Sequence, residues 1–330
     1  KETQPKAPTG DSLGIYIHIP FCRSRCDYCD FYSVAGREDR MDSYQKALLA
    51  HIKETAPLAQ GIPVDTVYFG GGTPSFFGDK RLRELLGAIQ KQFQLTQDAE
   101  ITLEANPDSV DVRALRRLRK AGFNRLSLGM QSACPAELES VHRPHTVQQV
   151  DQAVAAARKA KFKNLSLDLI YGLPGQTMDS WKATVEHALS LIPQHLSCYG
   201  LKVEERTPLY AVRDSAGLPG DEEQADMYLQ TVEFLKQYGY VQYEISNFAK
   251  PGFESRHNLK YWQLQEYAGF GPGAHSDFGG VRYAYEKDVE SYIAAAHGGV
   301  FRFSENTVIP PRDRDVEWLM LGARTVYGLD

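Results

Sequence analysis

The sequence predicts an α/β fold, an open, partial (β/α)6 barrel followed by a smaller C-terminal extension. Three observations carry this. Short β-rich runs alternate with longer helical patterns six times in the first two hundred residues, as a parallel sheet with right-handed crossovers requires. The strand runs lead into glycine, acidic and amide residues, which is where a barrel builds its active face. After Leu201 the alternation stops. An eight-strand closed barrel would need two more units, and a doubly wound open sheet is the structural alternative.

The elements follow in order. Ile15–Ile19 alternates apolar residues and reads as a strand; Met41, Tyr44, Leu48 and Ile52 then mark one helix face. Val64–Phe69 is a strand ending in Gly70-Gly71-Gly72, and a helix follows through Leu82, Leu85, Leu86 and Ile89. Ile101–Glu104 is the third strand, with Asp108 or Ser109 expected to cap the next helix. Leu126–Met130 is the fourth strand, and the helix after it carries Val150, Val154 and Ala157. Leu165–Ile170, a helix at Trp181–Leu191 and a strand at Leu196–Leu201 complete six units. A helix at about Asp221–Tyr238 and a short strand at Tyr240–Ile245 come next. Glycine-rich and aromatic segments with no further βα unit follow. The organisation expected is a tail at 1–12, a barrel at 13–250 and an extension at 251–330. The apolar pattern of Val316–Tyr327 sits close to Asp330, as in an incomplete C-terminal domain.

Composition is that of a globular chain: 330 residues, 42% hydrophobic and 24% charged, with a net charge of −5. The basic run Arg113–Lys120 has Val112, Leu115 and Leu118 at helical spacing, so it reads as a solvated helix face and not as a nucleic-acid site. No apolar run is long enough to span a membrane. The start is polar and lacks the apolar core of a signal peptide. Five cysteines, three of them within residues 22–29, suit a shared metal in a reducing cytoplasm and not a disulfide framework. An organellar matrix is the alternative compartment if a transit sequence precedes residue 1.

The first strand runs into Ile19-Pro20-Phe21-Cys22-Arg23-Ser24-Arg25-Cys26-Asp27-Tyr28-Cys29-Asp30-Phe31. Thiolates are the ligands that iron–sulfur clusters require, and Cys-x3-Cys-x2-Cys can set three of them around a cube. Three leave one iron open to an outside ligand, and Phe31 supplies no fourth. Arg23 and Arg25 could offset negative charge. A zinc knuckle with a distant fourth ligand, or three unrelated buried cysteines, is the alternative.

Further groups fall at the ends of other strands. Gly70-Gly71-Gly72-Thr73-Pro74 offers backbone N–H groups to a closely approaching ligand. Glu104 could accept hydrogen bonds from a ribose or an ammonium group. Asp168 lies in an apolar run, so it needs a partner. Arg143, between His142 and His145, is a candidate cation for a carboxylate. The two histidines lack nearby cysteine or acidic partners at ligand spacing and fit a structural or substrate-side role. Cys134 and Cys198 read as bystander thiols.

The segment YIHIPFCRSRCDYC resembles the signature of the radical-SAM superfamily, and the similarity runs from Gly14 to about Gly279. The resemblance implies a radical-SAM barrel with a [4Fe–4S] cluster on Cys22, Cys26 and Cys29. It also implies S-adenosylmethionine (SAM) bound at the open iron and cleaved on reduction to a 5′-deoxyadenosyl radical. By the same resemblance Tyr16, Tyr28, Gly71, Gly72, Thr73, Glu104, Gln131, Arg143, Asp168 and Gly200 contact SAM.

Two features narrow the group. Phe31 stands where the HemN-type oxygen-independent coproporphyrinogen III dehydrogenases have a further cysteine. His257-Asn258-Leu259-Lys260-Tyr261-Trp262 resembles the HNxxYW motif of the HemW-type heme chaperones, as do DEEQA at 221–225, YEISNFA at 243–249 and GFGPGAHS at 269–276. The resemblance implies a third cofactor, heme, with His257 as an axial ligand and Tyr261 and Trp262 against the ring. Imidazole commonly ligates heme iron. From the six residues alone, ordinary packing of a polar–aromatic turn is the other reading, and His275 is a second candidate. The partners implied are heme, an unidentified acceptor protein, a respiratory one among the candidates, and an electron donor for the cluster. The alternative functions are a coproporphyrinogen dehydrogenase and a radical-SAM methyltransferase.

Overall fold

The computed structural model describes residues 11–296, 298 and 300–329. Most of the expected tail lies outside the described residues. All six βα units form: β1 Leu13–Ile19, α1 Met41–Thr55, β2 Pro63–Gly71, α2 Asp79–Gln92, β3 Gln94–Ala105, α3 Val112–Ala121, β4 Arg125–Gln131, α4 Val147–Lys159, β5 Asn164–Tyr171, α5 Met178–Ser190, β6 His195–Gly200 and α6 Asp221–Gln237. Then come β7 Asn247–Ala249, α7 Arg256–Trp262, β8 Tyr267–Phe270, β9 His275–Phe278, β10 Val281–Tyr285, α8 Val289–Ala295, β11 Phe303–Thr307 and α9 Pro311–Gly322.

Strands β1 to β6 lie side by side in sequence order, all parallel. β8 joins β1 on its other side, also parallel, with Ile17 opposite Phe270. The antiparallel strands β9, β10 and β11 extend that edge. At the opposite edge β7 pairs antiparallel with β6. The extension therefore contributes strands to the main sheet, a pairing that local periodicity does not disclose. The sheet is continuous across residue 250, and the division there remains a proposal about chain organisation.

Strand alternation sorts the residues into two faces. One face carries Ile15, Ile17, Val67, Phe69, Leu103, Leu126, Leu128, Leu167 and Leu196, each at 0% exposure. Leu82, Leu85, Leu86 and Ile89 of α2 and Leu48 and Ile52 of α1 belong to the same apolar cluster. Each such side chain contributes about 1.5–3 kcal/mol on burial. The other face carries Tyr16 and His18, Tyr68, Glu100 and Glu104, Arg125 and Ser127, Ser166 and Asp168, and His195 and Ser197. This second face is polar yet largely buried, so its groups must satisfy one another or a ligand.

Two local expectations are corrected. The cap of α3 is Asp111, whose Oδ1 accepts from the N–H groups of Arg113 and Ala114, both at 2.7 Å. Asp108 and Ser109 instead form a separate 3-10 turn, in which Ser109 Oγ donates back to Asn106 O (2.7 Å). The strand expected at Tyr240–Ile245 is confined to Val241–Gln242, because the chain turns at Glu244, whose carbonyl accepts from Asn247 N (3.3 Å). Among the described residues no helix is long and apolar enough to cross a membrane.

Candidate functional site

β1 ends at Ile19, and the chain passes through Pro20 into the cysteine loop. A two-residue strand, Phe21–Cys22, pairs with Val34–Ala35 and clips the loop at both ends. Inside it, Cys29 N donates to Cys26 O (3.1 Å). Arg25 donates through Nε and Nη2 to Cys29 O (3.3 and 2.9 Å), fixing the loop's last turn. Cys26 is buried, and Cys22 and Cys29 are half-buried. Burial raises the thiols of Cys22 and Cys29 above their ordinary range, and the neighbouring Cys26 adds to the effect. Metal binding there must displace protons.

Two groups reach the sulfurs from other strands. Thr73 Oγ1, just past β2, donates to Cys22 Sγ (3.4 Å). Arg143 Nη1 donates to Cys26 Sγ and to Tyr28 OH, both at 3.4 Å. The same guanidinium donates through Nη2 to Asn106 Oδ1 (2.9 Å) and Gly129 O (3.1 Å). The Nε of Arg143 is buried and has no hydrogen-bond partner. Glycine is required at two points here. A Cβ on Gly72 would meet Cys22 Sγ and Ile19 O at 3.0 Å, and a Cβ on Gly129 would meet Gln131 Nε2 at 2.7 Å and Arg143 Nη2 at 3.0 Å. Gln131 holds a positive φ of 64° at the tip of β4, a conformation costly for a residue with a side chain.

Deeper on the polar face, Glu104 accepts from Tyr68 OH (2.6 Å) and Gly71 N (3.2 Å). Burial pushes its carboxyl up to about 7, against the lowering effect of the Tyr68 hydrogen bond. Asp168 accepts from Ser127 Oγ at 3.0 and 2.9 Å. Burial raises its carboxyl too, and the serines around it oppose that rise. Tyr16 stacks on Tyr68 at a centroid distance of 6.2 Å, and its hydroxyl bonds His18 Nδ1 (3.1 Å). Gly200 stands apart at the exposed end of β6, where a Cβ would meet Tyr171 OH at 2.9 Å.

The flanking histidines do structural work. His142 bonds Asp27 Oδ2 (2.8 Å), and buried His145 bonds Met130 O through Nε2 (3.0 Å). Sequence reasoning passed over Tyr68, Asn106 and Arg125. Their signal was period-two alternation, which places Tyr68 and Arg125 on the face of Glu104, and the position of Asn106 two residues after it.

The HNxxYW segment forms α7, which lies against the polar face below Tyr16 and Tyr68. His257 is 1% exposed. Its Nδ1 is hydrogen-bonded to Thr66 Oγ1 and its Nε2 to Tyr261 OH, both at 2.8 Å. The ring stacks on Tyr68 at 5.1 Å, and burial lowers its pKa to about 3. In this arrangement both ring nitrogens are taken, and the expectation that His257 offers an imidazole to iron remains a proposal. Tyr261, four residues on, turns its hydroxyl inward to His257 while its ring also lines a cavity outside α7. Trp262 lies on the outer side, beneath the guanidinium of Arg324 at 5.9 Å. His275 is more than half exposed and lies 3.9 Å from Glu305.

The Radical SAM superfamily model matches residues 16–188. The heme chaperone HemW of Bacillus subtilis is 37% identical over 317 residues, covering 95% of this chain and 84% of that protein. The heme chaperone HemW of Escherichia coli K12 is 39% identical over 264 residues, covering 80% and 69%. The chain belongs to the HemW family of radical SAM proteins. The solved structure of E. coli HemN, a coproporphyrinogen III oxidase and radical SAM enzyme, superposes with a TM-score of 0.83 at 28% identity. It covers 95% of this chain and 75% of HemN.

The radical SAM cofactors are a [4Fe–4S] cluster and SAM, and the residues present fit both. Each cysteine of one clipped loop can take a separate corner of a cube, with the Arg143 cation beside Cys26 to balance thiolate charge. The unpartnered Nε of Arg143 is suited to a carboxylate. Glu104, with one face turned to Tyr68 and Gly71, is suited to an ammonium or a ribose. In a HemW-family chain these are the groups that would hold SAM by its amino acid end and its sugar.

Proposed function

We propose that this chain is a heme chaperone that binds heme and passes it to an acceptor protein, with the cluster and SAM held at the strand tips. The observation that carries the reading is the extent of the HemW match, 95% of this chain against 84% of the B. subtilis protein. When bound, a [4Fe–4S] cluster with one open iron supplies an electron and a coordination position for SAM. The chain's own residues do the positioning. Cys22, Cys26 and Cys29 would ligate the cluster. Arg143 and Tyr28 would orient a carboxylate beside it, and Gly71, Gly72 and Thr73 would hold the amino side. Tyr16, Glu104, Gln131, Asp168 and Gly200 would complete the SAM set. Tyr261 and Trp262 would meet the heme from α7.

The cluster's electron donor and the heme acceptor are separate proteins on this reading. Phe31 weighs against coproporphyrinogen oxidation: it is 70% exposed immediately beyond the cluster loop and offers no ligating atom. The test is heme titration of the purified protein, followed by mixing with an apo-acceptor. A Soret shift, then its passage to the acceptor, is expected. Decarboxylation of coproporphyrinogen III by the reconstituted protein with SAM and reductant would favour the enzyme reading instead.

A further inference from the structure

Behind Asp168 the polar face carries a line of buried groups, none of which belongs to the SAM set. On β5 and β6 Ser166 stands opposite His195, and Asp168 opposite Ser197. Ser166 and His195 are both at 0% exposure, and Tyr243, in the turn before β7, is at 1%. Three hydrogen bonds join them to the carboxylate. Tyr243 OH meets His195 Nε2 at 2.8 Å, and His195 Nδ1 meets Ser166 Oγ at 2.7 Å. Ser166 Oγ then donates to Asp168 Oδ1 at 3.4 Å.

The far end fixes the direction of this line. Ser255, the N-cap of α7, donates its N–H to Tyr243 OH at 3.2 Å, so the phenol oxygen already accepts a bond. Burial keeps the phenol protonated. Among the described residues, His195 Nε2 is the acceptor that the phenol hydrogen reaches. His195 itself is neutral, because burial, aided by the charge of Arg125, holds its pKa well below the ordinary value. A neutral imidazole carries one hydrogen, and with Nε2 accepting, that hydrogen sits on Nδ1 and goes to Ser166. The Ser166 hydrogen is thereby released to Asp168. In the opposite tautomer Ser166 would donate to Nδ1, Asp168 would lose a donor, and a buried phenol hydrogen would have no acceptor, which is costly.

Resting on the assignment of Asp168 to the SAM set, we propose that His195 is a positioning residue for SAM binding. Held as the Nδ1–H tautomer by Tyr243, it turns the Ser166 hydroxyl onto Asp168 and keeps that carboxylate aimed as an acceptor for SAM. Asp168 needs such donors: burial raises its carboxyl, and the surrounding serines oppose the rise. Ser127 supplies one of them, from β4. Ser166 is a dependable second donor only while His195 supplies the hydrogen at the 2.7 Å contact. Asparagine and glutamine separate the two ring nitrogens. An Asn amide nitrogen falls near the place of Nδ1, and a Gln amide nitrogen near that of Nε2. His195→Asn therefore keeps a donor for Ser166, and His195→Gln loses it.

The test has two readouts. Nitrogen NMR of the full chain labelled at histidine gives the tautomer, with the His195 signal assigned by its absence in His195→Gln. Equilibrium binding of SAM to the cluster-reconstituted chain gives the consequence. His195 should be neutral and protonated on Nδ1 in the wild type, a result that stands whether or not any variant folds. SAM affinity should stay within about twofold in His195→Asn and fall about five- to tenfold in both His195→Gln and Ser166→Ala, the scale of one lost hydrogen bond. A His195 protonated on Nε2, or the same SAM affinity in the Asn and Gln variants, would overturn the role of His195. Unchanged SAM affinity in Asp168→Asn would remove Asp168 from the SAM set and this role with it. That failure is distinguishable, because the Nδ1–H tautomer of His195 would persist.

Discussion

Arg143 Nη1 lies 3.4 Å from Cys26 Sγ, and this contact ties the loop after β4 to the cysteine loop after β1. The guanidinium is anchored on its other side by Asn106 and Gly129. Arg143→Lys keeps the charge but loses the planar fork. We expect the full cluster iron content to be retained and SAM affinity to fall about ten- to hundredfold, the scale of a charge-assisted hydrogen bond. Iron analysis and equilibrium binding of SAM check this. Unchanged SAM affinity would remove Arg143 from the SAM site.

Glu104 should make SAM binding pH-dependent. Burial holds its carboxyl at about 7 in the free protein. A folded-state value above the ordinary one means that ionisation costs stability, so this contribution falls as pH rises from about 4.5 to about 7. An ammonium group bound beside it favours the ionised form, so SAM affinity should rise about tenfold between about pH 6 and 8. Glu104→Gln should flatten that profile. A profile of equal slope in the variant would assign the titration to another group.

Cys26→Ala removes a cluster ligand and the acceptor of the Arg143 contact. Anaerobic reconstitution of the wild type should give about four irons per chain, and the variant should hold substantially less. Retention of a full cluster would contradict the assignment of the three cysteines.

His257→Leu should destabilise the chain by about 2–4 kcal/mol, because Thr66 Oγ1 and Tyr261 OH would each lose a buried partner. Denaturant midpoints measure this. The coordination type of bound heme should be the same as in the wild type. A neutral effect on stability, with loss of an iron ligand, would mean that the imidazole faces outward in solution.

Asp111→Ala removes the cap of α3 and should cost about 1 kcal/mol, lowering Tm by about 2 °C. Asp108→Ala should not reproduce the loss of capping. Equal effects would argue for the cap position first read from the sequence.

The contrast between Asp111 and the strand tips indicates what was legible in the sequence. Six strands and their helices could be read because each buries a face with a local period. Asp168 could be read because a carboxylate in an apolar run demands a partner, and Glu104 because it ends a strand at the barrel mouth. The parallel pairing of β8 with β1 could not, since Phe270 meets Ile17 across some 250 intervening residues and no local pattern encodes that register. His257 was legible as a motif but not as a core residue. Its burial depends on Thr66, Tyr68 and Tyr16, which come together only when two distant strands are adjacent. Cap choice at α3 turned on whether Pro107–Ser109 forms its own turn, a difference of a few residues that composition leaves open.

The most direct test of heme carriage is stoichiometric titration of the purified chain with heme, monitored at the Soret band, followed by addition of an apo-heme acceptor. We expect one equivalent to bind with a shifted maximum and then to leave for the acceptor faster than free heme equilibrates. No shift at any ratio, or turnover of coproporphyrinogen III by a protein that ignores heme, would contradict it.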